Sequence, residues 1–214
     1  MDRKVYTQRQ VGYILSTMNT DETIEAFRRN GGLLRTMQAL DLGIHPRMLY
    51  RLRDEGILDC ISRGVFRLSE LPPLTNPDLV TVALRIPKAV VCLVSALAHH
   101  GVTTQIPHEV QIALPRGTKK PKLDYPPIQV HQFTGAALTD GVDVVEFDGI
   151  PVQIYSLAKS VADCFRFRST LGTDVAVQAL QEAVRSKGVP PAQLLKYARV
   201  CNVETVMRPY LEAV

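Results

Sequence analysis

The chain has 214 residues, a length that allows one large domain or two small ones. Hydrophobic residues make up 46% and charged residues 21%, which is ordinary globular usage and excludes disordered and fibrous classes. The longest apolar run, from Ala89 to Ala98, is about half as long as the roughly 20 residues that a membrane-spanning helix needs. Since residues 1–8 also lack the apolar stretch of a signal peptide, we expect a cytoplasmic protein without membrane contact.

The first seventy residues predict helices followed by a β-ribbon. Residues 1–18 carry no clear pattern and are expected to form a loosely attached arm or a short helix. Capping residues, apolar spacing and terminal glycines predict three helices, over residues 19–30, 33–43 and 44–56. In the second helix, Leu33, Leu34, Met37 and Leu40 would form the apolar stripe. Strand-forming runs at 57–61 and 65–68 flank a three-residue turn that contains Gly64.

This order of elements is typical of a winged helix-turn-helix, which binds DNA. Its third helix enters the major groove with its N-terminal end first, so the first two turns must carry groups that contact bases and phosphates. We expect DNA contacts from residues of the third helix and from the ribbon tip, namely His45, Arg47, Tyr50, Arg51 and Arg63. The alternative is that these arginines are solvated surface charges.

A proline-rich stretch at 71–77 indicates a linker between a DNA-binding domain, 1–71, and a second domain, 78–214. The second domain is expected to hold an apolar helix over 88–100 and further helices from Ser156, Thr173, Pro190 and Asn202, the first two of these residues acting as caps. Strands are predicted over 110–114, 128–133, 142–147 and 150–155, the last two flanking an Asp-Gly hairpin turn. The predicted fold class is therefore α+β, a winged helix-turn-helix followed by an antiparallel or mixed sheet packed with helices.

Two further clusters in the second half are candidates for binding. Arg116, Lys119, Lys120 and Lys122 place four cations on one turn, which indicates either a polyanion contact or a solvated loop. Phe167 and Arg168 indicate either a partner surface or ordinary packing in which the arginine stem covers apolar area.

No pattern in the sequence indicates an enzyme. Phosphate-binding glycine loops and nucleophile motifs are absent, and the acids at 140, 143, 146 and 148 are typical of a solvated hairpin face. His99 and His100 would point about 100° apart at a helix end closed by Gly101, which is unsuited to sharing one metal. Cys60, Cys92, Cys164 and Cys201 form no metal-ligand spacing and are expected to be buried free thiols. We therefore expect no catalytic residues, metal or cofactor.

Several segments, taken in order, resemble one family. They lie at 32–36, 44–52, 56–58 and 63–68 in the first half, and at 95–101, 106–107, 110–114 and 154–163 in the second. Together the segments resemble AbiEi antitoxins of abortive-infection toxin–antitoxin systems, over about residues 25–187. The winged-helix pattern of that family fits Arg47, Tyr50, Arg51 and Arg63, whereas no defined residue set transfers to the second half.

The resemblance implies a bacterial antitoxin that also represses its own operon. Its winged domain would bind promoter repeats, and its C-terminal domain would counter a nucleotidyltransferase-type toxin, although direct contact with the toxin is not implied. Residues 1–70 hold 11 basic and 9 acidic side chains, so one copy should bind DNA weakly and self-association on repeated sites is expected. The alternatives are a ligand-responsive winged-helix regulator and a nucleic-acid-modifying enzyme.

Overall fold

The structure, a computed structural model, describes residues 18–214, so the arm predicted over residues 1–18 lies outside the described residues except for Met18. The described chain divides into two compact units, 18–72 and Pro73–Val214. It is an α+β structure with two sheets, one antiparallel and one mixed, which confirms the predicted class at this level. None of the described helices is both long enough and apolar enough to cross a bilayer.

The first unit contains three helices and three strands. These are α1 (Thr20–Arg29), β1 (Leu33–Arg35), α2 (Thr36–Asp41), α3 (Pro46–Asp54), β2 (Leu58–Ser62) and β3 (Val65–Leu68). Helix α1 begins with a capping box, since Asn19 accepts a hydrogen bond from the Glu22 amide and the Glu22 carboxylate accepts one from the Asn19 amide. The predicted first and third helices are confirmed.

The start of the predicted second helix was wrong. Leu33–Arg35 forms β1, which pairs antiparallel with β3 and places Leu34 opposite Phe66. Gly31 and Gly32 both adopt positive φ and turn the chain into this strand. The ribbon is therefore part of a three-stranded sheet of order β1-β3-β2, and α2 begins only at Thr36.

The second unit packs eight helices around one five-stranded sheet. Its helices are α4 (Pro77–Arg85), α5 (Leu93–His99), α6 (Ala136–Thr139), α7 (Leu157–Arg166), α8 (Arg168–Leu171), α9 (Thr173–Arg185), α10 (Pro191–Val200) and α11 (Glu204–Glu212). Its strands are β4 (Val90–Val91), β5 (Val110–Pro115), β6 (Ile128–Phe133), β7 (Val142–Phe147) and β8 (Ile150–Tyr155), in the order β6-β5-β4-β8-β7. The four strands predicted in this half are confirmed, and β7 and β8 form the expected antiparallel hairpin.

The helix predicted over 88–100 was wrong in its first half. Val90 and Val91 form the central strand β4, which runs antiparallel to β5 and parallel to β8, and α5 begins only at Leu93. A strand buried on both faces is a continuous apolar run, which sequence periodicity does not distinguish from a buried helix. Helix α4 was missed because its start, Asn76-Pro77, lies in the segment predicted to be a linker, although Asn76 caps the helix and proline is tolerated in its first turn.

The sheet of the second unit has an apolar cluster on each face. Val90 belongs to one cluster and Val91 to the other, as expected for neighbours on a strand. Cys92, Cys164 and Cys201 are buried free thiols, as predicted. Cys60 is exposed instead, because β2 buries Leu58 and turns the following residues toward solvent.

Candidate nucleic-acid interface

The outer face of α3 presents the first two predicted DNA-contacting residues. Leu49 and Leu52 are buried on the opposite face of the helix, which fixes its rotation. The Nδ1 atom of His45 accepts a hydrogen bond from the amide of Arg47 at 3.2 Å, so the imidazole caps the start of the helix. The Arg47 side chain is exposed, and the ion pairs among residues 18–214 do not include it. Arg47 is therefore available to a ligand without breaking an ion pair.

Arg51 lies on the same helix but is already engaged. Its guanidinium donates a hydrogen bond to the Thr20 hydroxyl at 2.8 Å and lies 3.5 Å from the Glu55 carboxylate. These contacts hold Arg51 against the start of α1.

Tyr50 links α3 to the sheet and is 45% exposed. Its ring meets that of Phe66 edge-on with 5.5 Å between centroids, and the Arg53 guanidinium lies 5.1 Å from the Tyr50 centroid. Arg53 is also paired with Asp54 at 2.6 Å. Tyr50 is thus held in one orientation by packing while its edge remains open to solvent.

Arg63 lies apart from α3, at the exposed turn between β2 and β3. Gly64 takes a positive φ in this turn, and its carbonyl accepts a hydrogen bond from the Thr36 amide at 2.9 Å. The turn is therefore tied to the start of α2. The structure places Arg47, Tyr50 and Arg51 on α3, His45 at the N-cap of that helix, and Arg63 on a separate turn of the same unit.

The apolar stripe predicted for the second helix is buried only in part. Met37 is 68% exposed and Leu40 is 42% exposed, whereas Leu34 and Ala39 enter the core. The prediction counted helical spacing from Leu33, but Leu33–Arg35 is a strand and the helix begins only at Thr36. The side chains of the helix that face the core therefore differ from those predicted.

The basic turn of the second unit follows β5. Arg116, Lys119, Lys120 and Lys122 are all exposed. The Arg116 amide donates to the Phe133 carbonyl at 3.0 Å and the Thr118 amide donates to the Pro115 carbonyl at 3.1 Å, so the start of the turn has a fixed backbone.

Phe167 and Arg168 make contacts inside the second unit. The Phe167 ring packs against His131 and Phe133, with centroid distances of 5.0 and 5.5 Å. Arg168 donates a hydrogen bond to the Phe165 carbonyl at 2.9 Å. Phe165 is fully buried and Phe167 is half-buried. The contacts favour the packing interpretation, and a partner contact at these two residues stays a prediction.

A buried ion pair on α7 was missed by the sequence analysis. Lys159 Nζ lies 2.5 Å from Asp163 Oδ2, and both side chains are 0% exposed. The Cys201 thiol donates to Asp163 Oδ1 at 3.2 Å, and the Lys159 ammonium lies 4.1 Å from the Tyr155 ring centroid. Burial raises the pKa of Asp163 even though Lys159 and Cys201 oppose the shift. No solvent reaches the pair, so both charges lie in the interior of the unit.

The predicted cap of the same helix was wrong. Ser156 precedes α7 but makes no side-chain capping bond, and its buried hydroxyl has no hydrogen-bond partner among the described residues. The spacing of Lys159 and Asp163, four residues apart, is the sequence signal that could have identified their pairing.

The histidine pair at the end of α5 does not form a metal site. His100 Nε2 lies 2.8 Å from the Tyr155 carbonyl oxygen. Within residues 18–214, no group of three or more His, Cys, Asp or Glu residues is placed to hold a metal.

The segment from α1 to β3 also matches a known family. Residues 21–69 match the family model for a transcriptional regulator, the AbiEi antitoxin. This confirms the resemblance to AbiEi antitoxins for the first unit, and the family is one of DNA-binding regulators in toxin–antitoxin systems. The match ends before the second unit begins. A search of curated proteins finds no match.

Proposed function

We propose that this protein is the antitoxin and transcriptional autorepressor of a toxin–antitoxin operon, acting in the cytoplasm. The first unit is a winged helix-turn-helix in which α3 is the recognition helix and the β2–β3 turn is the wing. The observation that carries the proposal is the exposed Arg47 on the outer face of α3, within the segment that matches the AbiEi regulator family. The element order α1-β1-α2-α3-β2-β3 supports it.

Arg47 is the residue of α3 best suited to read a base. A guanidinium offers two parallel donors that match the acceptors of guanine in the major groove, and such a pair discriminates by about 1–3 kcal/mol. Arg47→Ala should therefore weaken binding to the chain's own promoter by about 5- to 150-fold, measured by fluorescence anisotropy at fixed salt.

Arg29 provides the matched control for this experiment. It is an exposed arginine of α1 in the same unit and pairs with Glu25 at 3.2 Å. Arg29→Ala removes the same charge from another helix and should leave promoter affinity nearly unchanged. If Arg47→Ala and Arg29→Ala bind the promoter equally well, α3 is not the recognition helix.

Arg63 has a different expected role. A cation at the wing most often neutralises a phosphate, so Arg63→Ala should weaken binding to all duplexes alike and reduce the salt slope by about 0.9. A loss confined to one base position of the operator would contradict this assignment.

The second unit counters a nucleotidyltransferase-type toxin. If this activity is separate from repression, the full chain carrying Arg47→Ala and Arg51→Ala, expressed from an unrelated promoter, should still rescue cells from the partner toxin. Charge reversal at Lys119, Lys120 and Lys122 should impair rescue without changing the promoter footprint, because these exposed cations contact a polyanion or the toxin. Intact rescue by the charge-reversed chain would show that the basic turn has no part in neutralisation.

One observation favours the ligand-responsive alternative. The second unit contains a cavity of about 230 Å³ whose lining includes the polar side chains of Ser95, His99 and Glu109. A regulator of this type would release its promoter when a small molecule fills the cavity. A toxin reading frame directly downstream of the gene would argue against it.

A further inference from the structure

A second cavity lies beside the basic turn of the second unit. It has a volume of about 330 Å³, at the lower end of the range for ligand sites. Two chain segments form it, the end of α4 with the residues after it and the end of β5 with the turn that follows. Its lining is Arg85, Ile86, Pro87, Lys88, Leu114, Pro115, Thr118 and Pro121.

The cavity is apolar inside and cationic around its mouth. Ile86 and Leu114 are buried and form the inner wall, and three prolines add rigid apolar rings. Arg85 and Lys88 line the cavity from one segment. On the other segment, Arg116, Lys119, Lys120 and Lys122 neighbour the lining residues Thr118 and Pro121 along the chain, and all six cations are exposed. The ion pairs found among residues 18–214 do not involve Lys88 or the lysines of the turn.

We propose that this cavity binds single-stranded nucleic acid. One unstacked base enters the apolar cavity, and the phosphates on its two sides meet the cations of the two flanking segments. The inference rests on the polyanion contact proposed for the second unit and names its ligand; it does not depend on operator reading by α3.

Three features favour a single strand. A nucleotide chain carries anions on both sides of each base, which matches cations on both sides of one apolar cavity. Most of these cations are lysines, whose flexible stems let the ammonium groups follow the phosphates of a flexible strand. A duplex keeps its bases stacked inside and would leave the cavity empty, whereas a single strand supplies bases that can be splayed out and stacked.

The test uses the full chain with Arg47→Ala, Arg51→Ala and Arg63→Ala, so that α3 and the β2–β3 turn contribute little to binding. The probe is a fluorescein-labelled oligothymidylate of about 12 nucleotides, within the site sizes of single-strand grooves. Each phosphate contact on a single strand contributes about 0.7 to the salt slope. The triple variant Lys119→Gln, Lys120→Gln and Lys122→Gln should reduce the slope of log affinity against log salt concentration by about 2. Raising the salt from 50 to 200 mM should then weaken the binding of this variant by a factor about 20 times smaller than for the chain with native lysines.

A matched control removes the same charge elsewhere on the unit. Arg185, Lys187 and Lys196 are exposed on or after α9 and on α10, away from the lining residues of the cavity in sequence. Their triple replacement by Gln should leave the slope unchanged. Equal slopes for the two triple variants would overturn the proposal. Because all six side chains lie on the surface, both triple variants should fold normally, and circular dichroism verifies that they do.

Three further probes test the base-binding step. An abasic oligomer of the same length and the duplex form of the probe should both bind several-fold more weakly than the single strand. Binding of the abasic oligomer or the duplex as tightly as the single strand would overturn base insertion. Thymidine monophosphate should compete only weakly, and competition at the affinity of the oligomer would show that the ligand is a free nucleotide, which also overturns the proposal. Promoter binding by the chain with native Arg47, Arg51 and Arg63 is measured in parallel, so that a failure of operator reading is seen separately.

Discussion

The buried pair of Lys159 and Asp163 offers the sharpest test of what stabilises the second unit. Lys159→Met removes the cation and keeps a side chain of similar length. Among the described residues, Asp163 would then retain only the Cys201 thiol as a side-chain hydrogen-bond donor, in a site that no solvent reaches. Leaving one member of a buried pair uncompensated costs about 3–5 kcal/mol, a large part of the roughly 5–15 kcal/mol that stabilises a domain.

The double variant separates the charge from the packing. Burial raises the pKa of Asp163 despite the nearby ammonium, so the attraction of Lys159 does not fully offset the desolvation of the carboxylate. Lys159→Met with Asp163→Leu removes both charges from the apolar cluster. We expect its free energy of unfolding to lie near or above that of the native chain, since replacing a buried pair by apolar residues is often neutral or stabilising.

Urea unfolding followed by far-UV circular dichroism measures these changes, because the chain has no tryptophan to serve as a fluorescent probe. Lys196→Met is the control, as Lys196 is an exposed lysine of the same unit. It should change the free energy of unfolding by less than about 0.5 kcal/mol. A loss below about 1 kcal/mol for Lys159→Met, or a double variant as unstable as the two single changes added together, would refute the reasoning.

Three smaller predictions concern single residues. Burial lowers the pKa of His131, so at mildly acidic pH this side chain binds more protons in the unfolded chain than in the folded one. Its contribution to stability should be complete above about pH 6.5 and should be lost as the pH falls from there through the lowered pKa. His131→Phe should therefore reduce the loss of stability at low pH, measured by thermal unfolding over a pH series. Gly141→Ala should destabilise by at least about 1–3 kcal/mol in urea, because φ is positive and the new Cβ would lie 2.9 Å from the Tyr197 ring. Asn19→Ala should cost about 1 kcal/mol by the same measurement, through loss of the cap of α1.

Elements defined by neighbouring residues could be predicted from the sequence. The capping box at Asn19 and the proline at the start of α3 act within one turn of helix, and both helices form where expected. The Asp148-Gly149 turn joins β7 and β8, with both residues at positive φ. In each case the decisive interactions lie within a few residues along the chain, so the sequence pattern contains them.

Elements defined by distant partners could not be predicted in this way. Leu33–Arg35 becomes a strand because β3, some thirty residues later, supplies its hydrogen-bond partners. Val90 and Val91 become the central strand because β5 and β8 pair on either side of them. Short apolar runs are compatible with helix or strand, and tertiary pairing decides between them.

The same distinction applies to the candidate site. The residue types on α3 follow from the sequence, but the hydrogen bond from Arg51 to Thr20 joins two helices that are far apart along the chain. The pairing of Lys159 with Asp163 was within reach of the sequence, yet the burial of both side chains depends on α10 and the sheet that cover α7. Sequence identifies which groups are present, whereas the fold decides which of them remain available.

That availability bears on how the protein would hold DNA. Of the three arginines that follow Pro46 on α3, Arg51 and Arg53 already have carboxylate partners, and Arg47 alone has none among the described residues. Few cations per copy mean few phosphate contacts and therefore a weak salt-dependent contribution to binding. Two copies on a repeated operator add their binding free energies, so that a tight complex needs no more charge on each chain. If the first unit binds its promoter as proposed, the modest net charge of +4 favours recognition of paired sites over tight binding by one chain.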